Sequence, residues 1–257
     1  MGDVFAFVSA GGSPGVTTAA VAFALTWPAE AIVAECDPSG GDILAGLLTG
    51  HVPVARGLME HAIEAGRDSN AAAVGLATQL VPLDTARGRM LLPGLTDPRQ
   101  AAGLAPAWQA VAATLTAQRA DVLADCGRID GSAGQPTAVI AAARTVALVL
   151  RPTLRQVWLA RSRVEMLTQV LDGRDRLVLL LTGSGTHAAR DVTQALQVPV
   201  VAVLPHDVRA GALLSDGIGG RSRLKTAPLL RSARTAGAAL RQHAATVATQ
   251  RPATVTR

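Results

Sequence analysis

The chain has 257 residues, of which 49% are apolar, 17% charged and 2% aromatic, and its formal net charge is +5. This length and apolar content predict a domain with a sizeable core of its own, while the shortage of aromatic side chains argues against a base-stacking surface for single-stranded nucleic acid. Two cysteines are too few for a disulfide framework or a cysteine-rich metal site, and no run of about 18 apolar residues predicts a membrane span.

Short apolar runs that alternate with helix-forming stretches predict a doubly wound α/β fold, and their nearly continuous apolar character predicts a mostly parallel sheet with helices on both faces. The predicted strands are Val4–Ser9, Ala31–Glu35, Met90–Leu92, Asp121–Asp125, Thr145–Leu150, Leu177–Leu181 and Val198–Leu204. The predicted helices are Thr17–Leu25, Asp42–Leu48, Leu58–Ala65, Pro98–Gln118, Thr153–Leu171, Thr186–Leu196 and a last one from about Ala227. Residues 49–57 and 126–136 are predicted loops. We expect a single domain over residues 1–250 and a frayed tail over residues 251–257.

Residues 9–18, the phosphate loop (Ser-Ala-Gly-Gly-Ser-Pro-Gly-Val-Thr-Thr), have the layout of a phosphate-binding loop between the first strand and the first helix. Backbone N–H groups of residues 12–18 and the helix N-terminus would hold phosphate oxygens. The lysine that usually precedes the Thr is replaced by Val16, and the sole lysine of the chain is Lys225. Pro14 removes one backbone donor from the loop. The nucleotide-binding candidates here are Gly12, Ser13, Pro14, Gly15, Val16, Thr17 and Thr18.

Two carboxylates are predicted at the ends of strands beside this loop. Asp37 follows the second strand, and Asp125 ends the strand that starts at Asp121. With the Thr17 hydroxyl, both carboxylates would supply the oxygen ligands that Mg²⁺ prefers. The alternative is that each aspartate only caps the turn that follows it. Three arginines near strand ends could replace the missing lysine charge: Arg128, Arg151 and Arg155.

The charge is uneven along the chain. Residues 1–130 carry 7 basic and 13 acidic side chains, whereas residues 131–257 carry 17 basic and 6 acidic ones. A basic C-terminal face that includes Arg221, Arg223 and Lys225 would favour nonspecific DNA, and a solvated arginine-rich face is the alternative. The apolar side of the last predicted helix is mostly alanine, so membrane insertion is not expected. The start of the chain lacks the basic segment of a signal peptide, and the expected location is the cytoplasm.

Several segments in order resemble the ParA/MinD family of deviant Walker-A ATPases, a family of P-loop proteins. They are the phosphate loop, the segment 31–38 that ends in Asp37-Pro38, the Walker-B-like strand 121–127, the strand-Pro-helix segment 147–153 and the loop Pro205-His206-Asp207. The chain resembles a degenerate member, because the family's signature lysine is Gly11 and its phosphate lysine is Val16. The lysine-poor pattern is also similar to the pilus-localising TadZ/CpaE proteins.

The resemblance implies an α/β fold that binds ATP or ADP with Mg²⁺. Thr17 and Asp125, with Asp37, would hold the metal, and Asp37 would position the attacking water if hydrolysis survives. Pro205 and Asp207 would lie against the base. The implied function is spatial positioning or partitioning of cargo, such as a chromosome, a septum or a secretion or pilus apparatus, with a protein partner and weak or absent hydrolysis.

Two other functions stay open at this point. One is a pseudo-ATPase adaptor that binds no nucleotide, and the other is a nonspecific DNA-binding protein. A homodimer is compatible with the family, and we expect it to form without nucleotide because the signature lysine is missing.

Overall fold

The computed structural model describes residues 1–12, 14–50, 56–218, 224 and 226–250. Ser13, Arg221, Arg223, Lys225 and the predicted tail therefore lie outside the described residues. The strands are β1 Val4–Ser9, β2 Ala31–Glu35, β3 Val81–Asp84, β4 Arg89–Leu92, β5 Asp121–Arg128, β6 Thr145–Leu150, β7 Leu177–Thr182 and β8 Val200–Leu204. They form one sheet in the order β3-β4-β2-β5-β1-β6-β7-β8, in which β3 is antiparallel to β4 and the other neighbours are parallel.

The helices cover both faces of this sheet. They are α1 Val16–Thr26, α2 Leu58–Arg67, α3 Ser69–Gly75, α4 Ala101–Leu104, α5 Trp108–Thr116, α6 Thr137–Ala142, α7 Leu154–Val170, α8 Ala189–Leu196, α9 Val208–Asp216 and α10 Pro228–Gln250. Short 3₁₀ turns lie at Leu76–Thr78, Thr85–Arg87, Pro98–Gln100 and Ala105–Ala107. The predicted α/β class with helices on both faces is confirmed.

Strand β1 shows why the sheet needs two covering layers. Val4, Ala6 and Val8 belong to one buried apolar cluster, whereas Phe5 and Phe7 belong to the other. Because successive side chains of a strand point to opposite faces, an entirely apolar strand must be covered on both sides. The first cluster continues into α2, α5, α7 and α8, and the second continues into α1, α9 and α10.

The last helix packs as the sequence predicts. Five of its apolar positions are buried in the second cluster with α1 and β8: Leu229, Ala233, Ala236, Leu240 and Ala244. Val247 is buried as well. Ala-rich spacing lets the helix approach α1 closely, and an ideal Cβ on Gly237 would lie 3.2 Å from the Trp27 ring. Within the described residues, no helix combines the length and the apolar character that crossing a bilayer requires.

Several predicted boundaries are wrong. Residues 42–48 form turns instead of a helix, and the predicted helix Pro98–Gln118 is broken into short pieces, since Pro106 has no N–H for a helical hydrogen bond. Strand β5 continues to Arg128, where the sequence predicts a loop from residue 126. The sequence predicts neither the strand β3 nor the helices α3, α6 and α9.

Candidate functional site

The phosphate loop connects β1 to α1 through a left-handed glycine. Gly15 has φ 89° and ψ 42°, and α1 begins at the next residue without a side-chain cap among the described residues. The first N–H groups of a helix have no partner within the helix, so this turn offers donors to an anion. Among the described residues, an ideal Cβ on Gly12 or on Gly15 meets no atom within 4 Å. The space in front of the loop is therefore open.

Pro14 anchors the loop instead of blocking it. Its carbonyl oxygen accepts a hydrogen bond of 2.7 Å from Thr182 Oγ1, at the end of β7. A cleft of about 300 Å³, which we call the loop cleft, lies in front of the loop. It is lined by Ser9, Gly11, Gly12, Pro14, Gly15, Val16, Thr17, Thr18, Asp37, Asp42, Gly127 and Arg128. The structure thus brings most of the predicted phosphate and metal residues to one cleft.

Asp125 lies under this cleft. Its side chain is 2% exposed and accepts a hydrogen bond of 3.0 Å from the Gly127 amide. Burial raises the pKa of Asp125 to about 7, against the lowering effect of the nearby Thr17 hydroxyl and of the Gly127 amide. Thr17 and Asp125, which the sequence analysis proposes as metal ligands, are therefore close together in the structure.

Asp37 caps the turn after β2 and also borders the loop cleft. Its Oδ1 accepts a hydrogen bond of 2.7 Å from the Ser39 amide, which caps the turn after β2. Its Oδ2 points toward Gly127, where an ideal Cβ would lie only 1.9 Å from that oxygen. One carboxylate oxygen therefore shapes the turn while the residue also lines the loop cleft.

Glu35 is the functional residue whose role sequence reasoning missed. Its buried carboxylate accepts hydrogen bonds from the amides of Asp42 (2.9 Å), Ile43 (3.0 Å) and Gly94 (3.0 Å). Burial raises its pKa, and these amides act in the opposite direction. Three amides held by one carboxylate fix the segment that carries Asp37 and Asp42. The available signal was an acidic residue inside an otherwise apolar strand.

A second cavity of about 390 Å³, the side cavity, adjoins the loop cleft. The two share Pro14, Gly15 and Thr18. The rest of the side cavity is lined by Ala19, Arg151, Thr182, Gly183, Leu204, Pro205, His206, Asp207, Val208, Gly211, Ala212, Ser215, Asp216 and Leu229. A phosphate-sized cleft that meets a larger cavity at a helix N-terminus has the form of a nucleotide site.

Asp207 lines the side cavity with a carboxylate that is already hydrogen-bonded. Its Oδ1 accepts from the Ala210 amide at 3.0 Å, as the cap of α9, and its Oδ2 accepts from the Leu229 amide at 3.4 Å. The residue therefore holds the starts of α9 and α10 together. Pro205, two residues earlier, forms the adjacent wall.

The two positions where the ParA/MinD family has a lysine, Val16 and Gly11, are both packed against other parts of the protein. Val16 is 7% exposed and packs into the second apolar cluster, although it also borders the loop cleft. An ideal Cβ on Gly11 would lie 3.3 Å from Leu159 Cδ1 and 3.4 Å from Gln156 Nε2, both on α7. Helix α7 therefore packs directly against the loop at this point.

The outer side of α7 is an exposed apolar and basic surface. Leu154 and Trp158 are 70% and 68% exposed, and the Arg161 guanidinium carbon lies 5.5 Å from the Trp158 ring centroid. Arg155 is exposed on the same turn. We call these four residues the α7 face.

The described residues contain no group of three or more His, Cys, Asp or Glu side chains that could hold a metal ion. Mg²⁺ usually takes one or two carboxylates and completes its shell with phosphate oxygens and water, which suits the oxygens of Asp125, Asp37 and Thr17.

The sequence matches no protein-family model and no curated protein. Solved structures are similar in fold. A ParA family ATPase from Chlorobium tepidum TLS has a TM-score of 0.74 at 17% identity, over 93% of this chain and 99% of the other. MinD of Pyrococcus horikoshii OT3, complexed with Mg-ADP, has a TM-score of 0.67 at 17% identity, over 92% and 95%. The MinC:MinD cell division protein complex of Aquifex aeolicus has a TM-score of 0.69 at 14% identity, over 99% and 98%. The chain has a ParA/MinD-like fold.

Proposed function

We propose that this chain binds an adenine nucleotide with Mg²⁺ and acts in the spatial positioning of cellular cargo, with weak or absent hydrolysis. The observation that carries the proposal is the junction of the loop cleft and the side cavity at Gly15 and Thr18. A triphosphate would lie against the loop amides, and the nucleoside would lie in the side cavity against Pro205. The fold likeness to a MinD complexed with Mg-ADP supports the same placement.

The residues present fit Mg²⁺. Asp125 is a buried carboxylate close to the Thr17 hydroxyl, and Thr17 and Asp37 both border the loop cleft. All three offer the oxygen atoms that this ion prefers. When bound, the ion would neutralise charge on the terminal phosphates. Thr17 and Thr18 would orient the phosphates, and Asp37 would hold a water near them.

Hydrolysis is proposed to be slow because the loop lacks its usual ammonium groups. The two family lysine positions are Val16, which packs into the core, and Gly11, which faces α7. Loss of a charged donor at a developing phosphate charge typically costs about 10²-fold or more in rate. Slow turnover suits a protein whose nucleotide changes partner contacts instead of driving a reaction.

We further propose a protein partner that docks on the α7 face. A large aromatic and a leucine that are both about 70% exposed are typical of an interface anchor. Arg155 and Arg161 flank them, and the first acidic residue along this helix is Glu165, one turn beyond. Charge complementarity therefore favours an acidic segment with an apolar anchor. The fold likeness to MinD in its complex with MinC supports a protein as the occupant.

The test is the affinity of the full chain for ATP and for ADP, with and without Mg²⁺, repeated on Thr17→Ala. Loss of the Mg²⁺-dependent part of the affinity in this variant is the expected result. Thr246→Ala is the matched control, because Thr246 is exposed on α10 and its hydroxyl donates to the Gln242 carbonyl within the helix. Absence of binding at millimolar nucleotide would overturn the proposal.

That negative result would favour the second candidate, an adaptor that keeps the fold and binds no nucleotide. The observation in its favour is the buried Val16, which leaves an apolar side chain where the site usually has a charge. The adaptor would still use the α7 face, so partner binding would be independent of added ATP and Mg²⁺.

Nonspecific DNA binding is a third candidate. Arg231, Arg234 and Arg241 are exposed on α10, and the basic residues Arg221, Arg223 and Lys225 precede this helix in the sequence. Retention on duplex DNA that falls steeply with salt, and falls further when the last three are changed to Ala, would support it.

The cytoplasm remains the proposed location, since the described Cys36 and Cys126 are buried and unpaired.

A further inference from the structure

The loop cleft contains one cationic side chain among its described lining residues. Asp37 and Asp42 border it as carboxylates, and Arg128 borders it as a guanidinium. A bound polyphosphate would carry several negative charges into a cleft whose own carboxylates repel it. Backbone donors and a metal ion relieve part of that repulsion. Whether a side chain of the protein adds a positive charge next to the bound polyphosphate therefore depends on the position of Arg128.

The backbone of Arg128 is fixed opposite the phosphate loop. Arg128 ends β5 and is paired with Ser9 of β1, after a register shift between Phe7 and Ser9. The next residue, Ile129, donates its amide to the Ser9 carbonyl at 2.9 Å, and the Arg128 carbonyl accepts from Gln135 Nε2 at 3.2 Å. Hydrogen bonds on both sides thus hold this Cα beside the first residue of the loop.

The turn at Gly127 allows the chain to place Arg128 beside the phosphate loop. Gly127 has φ +63°, a conformation that L side chains rarely adopt. It lies in contact distance of Asp37, where a Cβ would not fit. The strand can therefore bend past Asp37 and still bring the following residue to the rim of the cleft.

The side chain of Arg128 is exposed, and within the described residues its guanidinium makes no hydrogen bond and no ion pair. Asp130 could compete for this guanidinium; its pKa is lowered mainly by hydrogen bonds from Ser132 and to a smaller extent by the Arg128 charge. Asp130 is exposed and already accepts from Ser132 and Gln135. The donors of Arg128 are thus available to an anion in the cleft.

We propose that Arg128 binds the terminal phosphates of the nucleotide and replaces the charge of the absent loop lysines. The inference rests on the proposed function and names the residue that makes the site work without lysine. A guanidinium suits the role because it stays protonated and presents parallel N–H donors to two phosphate oxygens. It borders the cleft from the end of β5, beside Ser9.

The test measures binding of Mg·ATP, AMP and magnesium tripolyphosphate to the full chain and to R128A, R128K and R119A. We expect R128A to weaken ATP and tripolyphosphate binding by about 10- to 100-fold, R128K to weaken it less, and AMP binding to stay unchanged. R119A is the matched control, because Arg119 is exposed and lies just before β5, at the far end of the same strand. Thermal unfolding of each variant checks the fold.

Each outcome separates this inference from the proposed function. ATP binding that is equally tight in R128A and in the unmodified chain overturns the inference and leaves the proposed function standing. An equal loss for AMP would also contradict it, because the terminal phosphates would not be the ligand. If the chain binds tripolyphosphate through Arg128 but does not bind ATP, the result supports an anion site at Arg128 and overturns the proposal that the chain binds an adenine nucleotide. Binding of neither ligand by the unmodified chain overturns both.

Discussion

Asp37 and Gly127 are in such close approach that a single methyl group on Gly127 would lie 1.9 Å from the Asp37 carboxylate. This contact joins the turn after β2 to the end of β5, the two segments that carry the candidate metal residues. Gly127 also has φ +63°, which a side chain disfavours.

Gly127→Ala is therefore expected to destabilise the protein by about 1–3 kcal/mol from backbone strain alone, and to weaken Mg²⁺-dependent ATP binding because Asp37 must move. Chemical denaturation and nucleotide titration measure the two effects. Gly66→Ala is the control of opposite sign: Gly66 lies in α2 with no atom within 4 Å of an added Cβ, so stability should rise by about 0.5–1 kcal/mol. Unchanged ATP binding by the first variant would contradict a role for this contact in the site.

Val16→Lys tests the missing charge directly. Since Val16 borders the loop cleft and is otherwise buried, the new ammonium should raise ATP affinity by about tenfold or more and lower stability without ligand. Val16→Met adds length without charge and should show neither gain in affinity nor the same loss of stability. Affinity that does not rise in the lysine variant would mean that this position does not face the phosphates.

Asp125→Asn probes the buried carboxylate under Thr17. Because burial raises the pKa of Asp125 to about 7, the folded protein binds more protons than the unfolded chain between about pH 4 and 7. The contribution of this group to stability is therefore present below pH 4 and is lost as the pH rises to 7. The asparagine should be more stable than aspartate at pH 8, by at most about 4 kcal/mol at 1.36 kcal/mol per pH unit.

Denaturation curves at pH 5 and pH 8 would check this prediction. The gain from Asp125→Asn should be larger at pH 8, and it should come with weaker Mg²⁺-dependent nucleotide binding. Equal effects at both pH values would show that Asp125 is ionised in the folded protein throughout. Asp68→Asn is a control, since Asp68 is an exposed cap of α3.

His61 has the opposite pH dependence. It is fully buried on α2, its Nε2 lies 2.7 Å from Thr114 Oγ1, and its Nδ1 has no hydrogen-bond partner in the described structure. Thr114 donates its own proton to the Val111 carbonyl, so Nε2 is the donor, and a second proton on Nδ1 would be buried without an acceptor.

Burial lowers the pKa of His61 to about 4, while the unfolded chain protonates near 6.5. Stability from this group is therefore present above pH 6.5 and is lost as the pH falls to 4, up to a limit of about 3 kcal/mol. His61→Phe should flatten the fall in stability over this range relative to the unmodified chain. A fall of the same slope in both proteins would exclude His61 as its source.

Trp158→Ala tests the α7 face. Because Trp158 is 68% exposed, its removal should change the free energy of unfolding by less than about 0.5 kcal/mol. The partner is first identified by photo-crosslinking at this position. The affinity of Trp158→Ala for that partner should then be lower by about tenfold or more. Added salt should weaken the complex if the partner segment is acidic. Val74→Ala, at an 87% exposed apolar position on α3, is the matched control. A captured partner that binds both variants equally would rule out this face.

The strands could be predicted because burial on both faces makes them apolar at all but an end position, as in β1, β2 and β6. Strand β3 could not, since it is four residues long, contains Pro82 and pairs only at the sheet edge. Residues 42–48 look helical in sequence, but the amides of Asp42 and Ile43 donate to Glu35 instead. That contact joins positions seven and eight residues apart across a turn, which local propensity does not describe.

In the candidate site, too, the features that depend on local sequence could be predicted and those that depend on tertiary packing could not. The phosphate loop and the two aspartates were predictable, because glycine spacing and strand-end carboxylates are local patterns. The sequence offers Arg128 only as one of three candidate arginines, and it could not show which of them borders the loop cleft, since that depends on a register shift between β1 and β5 and on the left-handed turn at Gly127. The use of the Asp207 carboxylate by two helices likewise depends on the packing of α10, 22 residues away in sequence.

The hydrogen bond from Thr182 to the Pro14 carbonyl has a consequence for the energetics of occupancy. Proline narrows the conformations of the unliganded turn, and a hydroxyl from a neighbouring strand holds the one that remains. The entropy of ordering this backbone is then lost when the chain folds and not when a ligand arrives. A rigid frame of this kind compensates for part of the attraction that is lost because the two lysines are absent.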